Sequence, residues 1–214
     1  MALDTYSQLR DSAKQLYAAL LEHASQDLVL QAGRLLGIVQ RGTLALESEQ
    51  DGTFLMDALV HEPIDGVASL VTQALRDHWS TGVLNQVQLL SSMENAYTSL
   101  FTVETTRPDL AKLTLRDQFD SAHPELVLTD FYLSQSVSPG TLLFTRILTF
   151  DDIAMTSGIG MPFAADLDRY LRRRLKPMEH KIHSTIPSVQ RYAAFFRLYR
   201  TDGVPMAFGD PPAI

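Results

Sequence analysis

One pair of histidines in this chain is spaced for joint chemistry. In Glu179-His180-x-x-His183 two imidazoles lie three residues apart, which on a helix would bring both to one metal ion, with a carboxylate arriving from elsewhere. The HExxH motif needs a spacing of four with the glutamate between, so this is not that motif. Pro177 and Pro187 hem the segment in, and the plainer reading is an exposed connector. The pair is the weak metal candidate, and no metal or other cofactor is expected. His61-Glu62 reads the same plain way. Asp151-Asp152 could hold Mg²⁺ if other carboxylates converged on it. Adjacent aspartates at a hairpin tip are ordinary turn residues, as are Asp117 and Asp120.

No Gly-x-Ser-x-Gly elbow is present, and Ser157 before Gly158 is a faint echo of one. Ser157-Gly158-Ile159-Gly160 precedes a helix expected from Ala164, and backbone N–H groups at a helix start can cradle an anion. Phe163 stands where a dinucleotide fingerprint would place its third glycine, and the P-loop lysine is missing. A turn that needs small residues explains the run. The anion-binding candidate is Arg169, Arg172, Arg173, Arg174 and Lys176, with Lys181, Arg191, Arg197 and Arg200 further on. Guanidinium groups along one helix could pair with phosphates while Tyr192, Phe195 or Tyr199 stack on bases. Against this stands a solvated helix face that neutralises an acidic body, with the aromatics in the core and Arg174 lying along the core edge.

Composition narrows the field. The chain has 214 residues, 45% of them hydrophobic and 20% charged, and no cysteine. That supports a sizeable core and excludes disorder, a disulfide scaffold, thiol catalysis and thiolate metal sites. The formal net charge of −7 divides unevenly, with −11 over residues 1–163, +6 over 164–200 and −2 over 201–214. A whole-surface nucleic-acid binder is therefore not expected, although a basic segment can dock on its own acidic body or on an anionic partner. No uniformly apolar window is long enough to span a membrane, and MALDTYSQLR lacks the features of a signal peptide. The expected location is the cytoplasm, with no membrane partner.

Hydrophobic spacing sets out the elements that would position these residues. Tyr6, Leu9, Ala13, Leu16, Tyr17 and Leu20 predict a helix over about Asp4–Ala24. A second is expected over Gln26–Gln40, with Gly33 and Gly37 stacked for a close helix–helix approach and Gly42 ending it. Thr43–Leu46 reads as extended and Thr53–His61 as helix, with a hairpin of Thr43–Glu47 and Thr53–Asp57 as the rival. Asp65 should cap a helix from Gly66 to Trp79, and Thr81 should open another to Leu100. Phe101–Glu104, Lys112–Leu115, Leu126–Leu133 and Thr141–Thr149 have β character, with Ile153–Thr156 pairing the last. Ala164–Lys176 reads as helix, and Val189–Tyr199 fits helix or strand. The expected fold is one α+β domain. An N-terminal helical half (1–100) packs on a small antiparallel sheet or barrel (101–160), followed by C-terminal helices (161–200) and a tail (201–214).

The segments RGTLALESEQDGTFLMDALVHEP (41–63), LTLRDQF (113–119) and LSQSVSPGTLLFTRILTFDDIAMTSG (133–158) resemble a family of bacterial proteins of unknown function. The resemblance spans about half of the chain. It implies a helical region leading into a small β-unit, and it implies no activity. Three functional readings follow in order. The first is a non-enzymatic binding or protein-interaction module. The second is anion or nucleic-acid binding through Arg169–Arg200. The third is a metal-assisted hydrolase around His180 and His183. Binding is favoured over catalysis because no catalytic constellation is visible.

Overall fold

The computed structural model describes residues 2–205 apart from 121, 123, 124 and 151. The helical stripe of the first segment folds as α1 (Ala2–Leu21), burying Tyr6, Ala13, Leu16 and Leu20. Helix α2 (Gln26–Leu36) is shorter than its periodicity predicts. Ser25 caps its start, and Gly37 ends it in the left-handed region at φ 82°. Gly33 does make a close approach, but to a hairpin and not to a helix. A Cβ there would stand 2.4 Å from Leu44 and 2.9 Å from Val39. Those residues belong to β1 (Val39–Gln40) and β2 (Thr43–Leu44), joined by Arg41 and Gly42, both at positive φ.

Helix α3 (Glu49–His61), capped by Ser48, settles the choice between helix and hairpin in favour of helix. Helix α4 (Leu70–Arg76) starts later than expected. Asp65 and Gly66, both at positive φ, form a tight turn between Ile64 and Val67, so Ser69 takes over as the cap. Helix α5 is confined to Gln86–Glu94. Leu84 and Val87, apolar in sequence, stand 76% and 78% exposed and contribute nothing to a helical core face.

The chain then turns into an antiparallel sheet. Its strands are β3 (Tyr97–Arg107), β4 (Lys112–Asp117), β5 (Glu125–Thr129), β6 (Leu142–Phe150), β7 (Ile153–Thr156) and β8 (Met161–Phe163), in the order β5-β4-β3-β6-β7, with β8 also on β6. The sheet curls until β5 lies close to β7. The β run expected over Leu126–Leu133 splits, because the Asp130 carboxylate accepts from the Tyr132 and Leu133 N–H groups and starts α6 (Phe131–Ser136). Asp151, half of the expected hairpin tip, lies outside the described residues. Helix α7 (Asp168–Glu179) accepts Pro177 in its last turn. The segment after it is α8 (Pro187–Asp202), a helix and not a strand, which buries Tyr192, Phe195 and Phe196 completely.

Both faces of β6 are covered, and strand alternation sorts its residues. Leu142, Phe144, Leu148 and Phe150 pack into the main core shared with the helices. Leu143 and Ile147 pack into a smaller core inside the curl, with Phe101, Val103, Leu115 and Leu133. Arg146 shares the even register, so it points from the sheet into the helical layer. The architecture is the expected α+β arrangement of helices at both ends of the chain around an antiparallel sheet.

Candidate binding cleft

Arg146 is an arginine at the centre of an apolar strand, with its side chain 4% exposed. Charge in that position requires counter-charge within reach. Helix α3 supplies it. Arg146 Nε donates to Asp57 Oδ2 at 3.0 Å, and Nη2 donates to Glu62 Oε1 at 2.6 Å. The guanidinium also lies 5.4 Å from the centre of the Tyr192 ring. Asp57 and His61 are one helical turn apart on α3, so both face the same neighbours.

The network extends outward from this ion pair. Ser157, just past the end of β7, donates to Asp57 Oδ1 at 2.6 Å. His61 Nδ1 lies 3.2 Å from the Met93 carbonyl, and its Nε2 meets the Tyr17 hydroxyl of α1. A carbonyl can only accept, so Nδ1 carries the hydrogen and Nε2 accepts from Tyr17. A second ion pair lies alongside. Arg10 of α1 donates to Asp130 Oδ2 at 2.5 Å and to the Thr156 carbonyl at 2.6 Å, and Thr156 donates to Asp130 at 2.8 Å. These two pairs tie α1, α3 and α6 to the sheet.

The surroundings set each group's protonation. Burial, with the Arg146 charge added, pushes His61 down from the usual 6.5 to about 3, against the opposing pull of Asp57. Burial works against the charge on Asp57, but Arg146 and the Ser157 hydroxyl outweigh it and hold the carboxyl below its ordinary value. Burial raises the Tyr17 phenol well above its ordinary value, and Asp57 adds to the rise. Asp57 is thus a poor base, Tyr17 a poor acid and His61 a neutral imidazole with both nitrogens engaged.

Above this network a cleft of about 400 Å³ opens between α1, α3, α6 and the 157–160 loop. Ala13, Ala18, Leu21, Met56, Leu133 and Ile159 are its aliphatic wall. Tyr17, Ser157, Asp57, Thr156 and Asp130 also line it, together with Arg10, Lys14, Thr53, Tyr132, Gly158 and Gly160. A mostly apolar cavity with a few convergent polar groups is the usual form of a small-molecule site.

The residues expected from sequence to bear chemistry lie elsewhere. On α7, Arg169, Arg173, Arg174 and Lys176 are exposed. Arg172 pairs with Asp168 at 2.9 Å and donates to Gln118 at 2.8 Å, while Arg174 sits 6.0 Å from the Tyr170 ring centre. Further along, Arg191 meets Glu179, Arg200 meets Glu47, and Arg197 donates to the Leu35 and Leu36 carbonyls at the end of α2. His180 and His183 are exposed and line a groove with Arg34, Asp65 and Arg197. Among the described residues, no three His, Asp or Glu side chains converge as a metal cluster. The Ser157–Gly160 run leads into β8 and not into a helix, so its N–H groups gain nothing from a helix start. The plain reading of His61 and Glu62 as exposed is overturned, since both are buried. The sequence signal for this site was Arg146 inside LLFTRILTF, a lone charge in an apolar strand that needed buried acids. An acid-bearing apolar helix, Asp57 to Glu62, was the matching half.

A family model matches residues 1–209 of the chain. No curated protein and no solved structure matches it. Among the described residues, no helix is long and apolar enough to cross a membrane.

Proposed function

The chain belongs to the family of unknown function DUF7986, and we propose that it acts by binding a small, largely apolar molecule in the cleft between α1, α3, α6 and the 157–160 loop. One observation carries this reading. The walls are apolar, while the acids, arginines and histidine of the floor are already closed into ion pairs and hydrogen bonds among themselves. Such a floor provides a rigid, shaped base. It lacks a general base or nucleophile poised near neutral pH, which catalysis by proton transfer or covalent attack would use. Ser157 illustrates the point, because the partner taking its hydrogen is a carboxylate held in its charged form by Arg146.

Calorimetric titration with octanol tests the reading. The expected result is saturable binding in the native protein and at least about a tenfold loss in Ala18→Trp, which fills the cleft from α1. Absence of saturable heat with the native protein would overturn it. A second reading is anion docking on α7, favoured by Arg169, Arg173, Arg174 and Lys176 lying exposed on one helix. It requires a salt-dependent affinity for a nucleic acid that falls in a variant with these residues changed to alanine.

A further inference from the structure

The hydroxyl hydrogens at the floor of the cleft have fixed destinations. The Met93 carbonyl takes the hydrogen on His61 Nδ1, which leaves Nε2 as an acceptor, and the Tyr17 hydroxyl hydrogen goes to it. Asp57 is charged and only accepts, so the Ser157 hydrogen goes to Oδ1 at 2.6 Å. Tyr17 and Ser157 both line the cleft. With their hydrogens committed inward, both have only oxygen lone pairs to offer whatever occupies it.

Charge agrees with this direction. The ion-paired groups of the two networks beneath the cleft are Asp57, Glu62 and Asp130 against Arg146 and Arg10. That is three carboxylates for two guanidiniums, with His61 neutral beside them. A surplus negative charge behind an apolar wall favours a cation in front of it. Tyr17 and Tyr132 are among the lining residues, and aromatic rings attract a cation. Lys14 is exposed at the rim, where solvent screens it.

We infer that the cleft takes a ligand with an apolar body and a protonated amine, the ammonium group seated on the Tyr17 and Ser157 oxygens. The inference rests on the binding reading above and specifies its ligand class. An ammonium brings hydrogens to acceptors that have none of their own to offer. A carboxylate in the same place would set lone pair against lone pair and meet the negative floor.

Matched octyl probes separate the alternatives. Octylammonium, octanol and octanoate are titrated against the native protein by calorimetry, below the concentrations at which they form micelles. The expected order is ammonium, then alcohol, then carboxylate, with about a tenfold or larger gap between the first and last. Tyr17→Phe and Ser157→Ala each remove one acceptor. Each should shrink that gap by about threefold or more, and Ser157→Ala serves if loss of the His61 partner unfolds the Tyr17 variant. Equal affinity for all three probes, or tighter binding of octanoate, overturns the ammonium inference while the apolar cleft stands. Binding of none overturns both.

Discussion

Arg146 sets the chemistry of the interior at the scale of a single residue. It is buried with Asp57 and Glu62 as its counter-charges, and a residue of this kind stabilises mainly by not being left unpaired. Removing the guanidinium would strand two carboxylates in the core. Arg146→Ala is expected to cost about 3–5 kcal/mol in urea unfolding. Combining it with Asp57→Ala and Glu62→Gln should recover part of that loss, because the stranded charges go with it. A cost below about 1 kcal/mol for the single change would show that the acids are not dependent on Arg146. The same residue explains His61, whose low pKa follows from burial and then from this neighbouring positive charge.

At the scale of elements, one short segment holds the cleft in shape. Asp130 both starts α6, through the Tyr132 and Leu133 N–H groups, and anchors α1, through Arg10. Asp130→Ala therefore removes a helix cap and one side of an ion pair together, at an expected cost of about 2–4 kcal/mol. Asp130→Asn keeps an acceptor for the cap and should cost less. Equal losses for the two variants, measured by chemical denaturation, would deny the cap any role. Helix α8 also joins the helical layer to the sheet. Phe195 stacks on Phe144 of β6 with ring centres 4.1 Å apart and is fully buried. Phe195→Ala is expected to cost about 3–5 kcal/mol, with the native fold retained in near-ultraviolet circular dichroism at low temperature.

The whole molecule registers this chemistry as acid sensitivity. Unfolded, His61 takes up a proton near pH 6.5, whereas in the fold it stays neutral down to about 3. The unfolded chain binds the extra proton throughout that window, so stability falls as pH drops through it, by up to about 1.4 kcal/mol per pH unit. Asp57 shifts in the other familiar way. Its folded pKa is depressed, so its contribution is complete above the unfolded carboxylate range and is lost only as pH falls through the folded value. The first loss below about pH 6.5 is thus expected from His61. Unfolding free energies measured between about pH 7 and 5 should decline less steeply in His61→Gln than in the native protein. Parallel slopes would remove His61 from the account, whatever the variant's absolute stability.

Local signals determined much of the architecture. The stripe from Tyr6 to Leu20, the β-branched and aromatic runs after Phe101, and the pairing of Thr141–Thr149 with Ile153–Thr156 all place elements correctly, because period and turn residues act over a few positions. The α+β layout followed from their order. Element ends were decided by contacts at longer range. Gly37 closes α2 with Arg197 of α8 beside it, and Ser69 displaced Asp65 as a cap because Asp65 and Gly66 were already spent on a turn. The cleft was the least legible feature. Arg146 stands 89 residues from Asp57 and 84 from Glu62, and Arg10 stands 120 from Asp130. Sequence spacing carries no record of such pairings. They exist only because the curl of the sheet and the packing of α1 against α3 bring charge to counter-charge, where the cost of burying one demands the other.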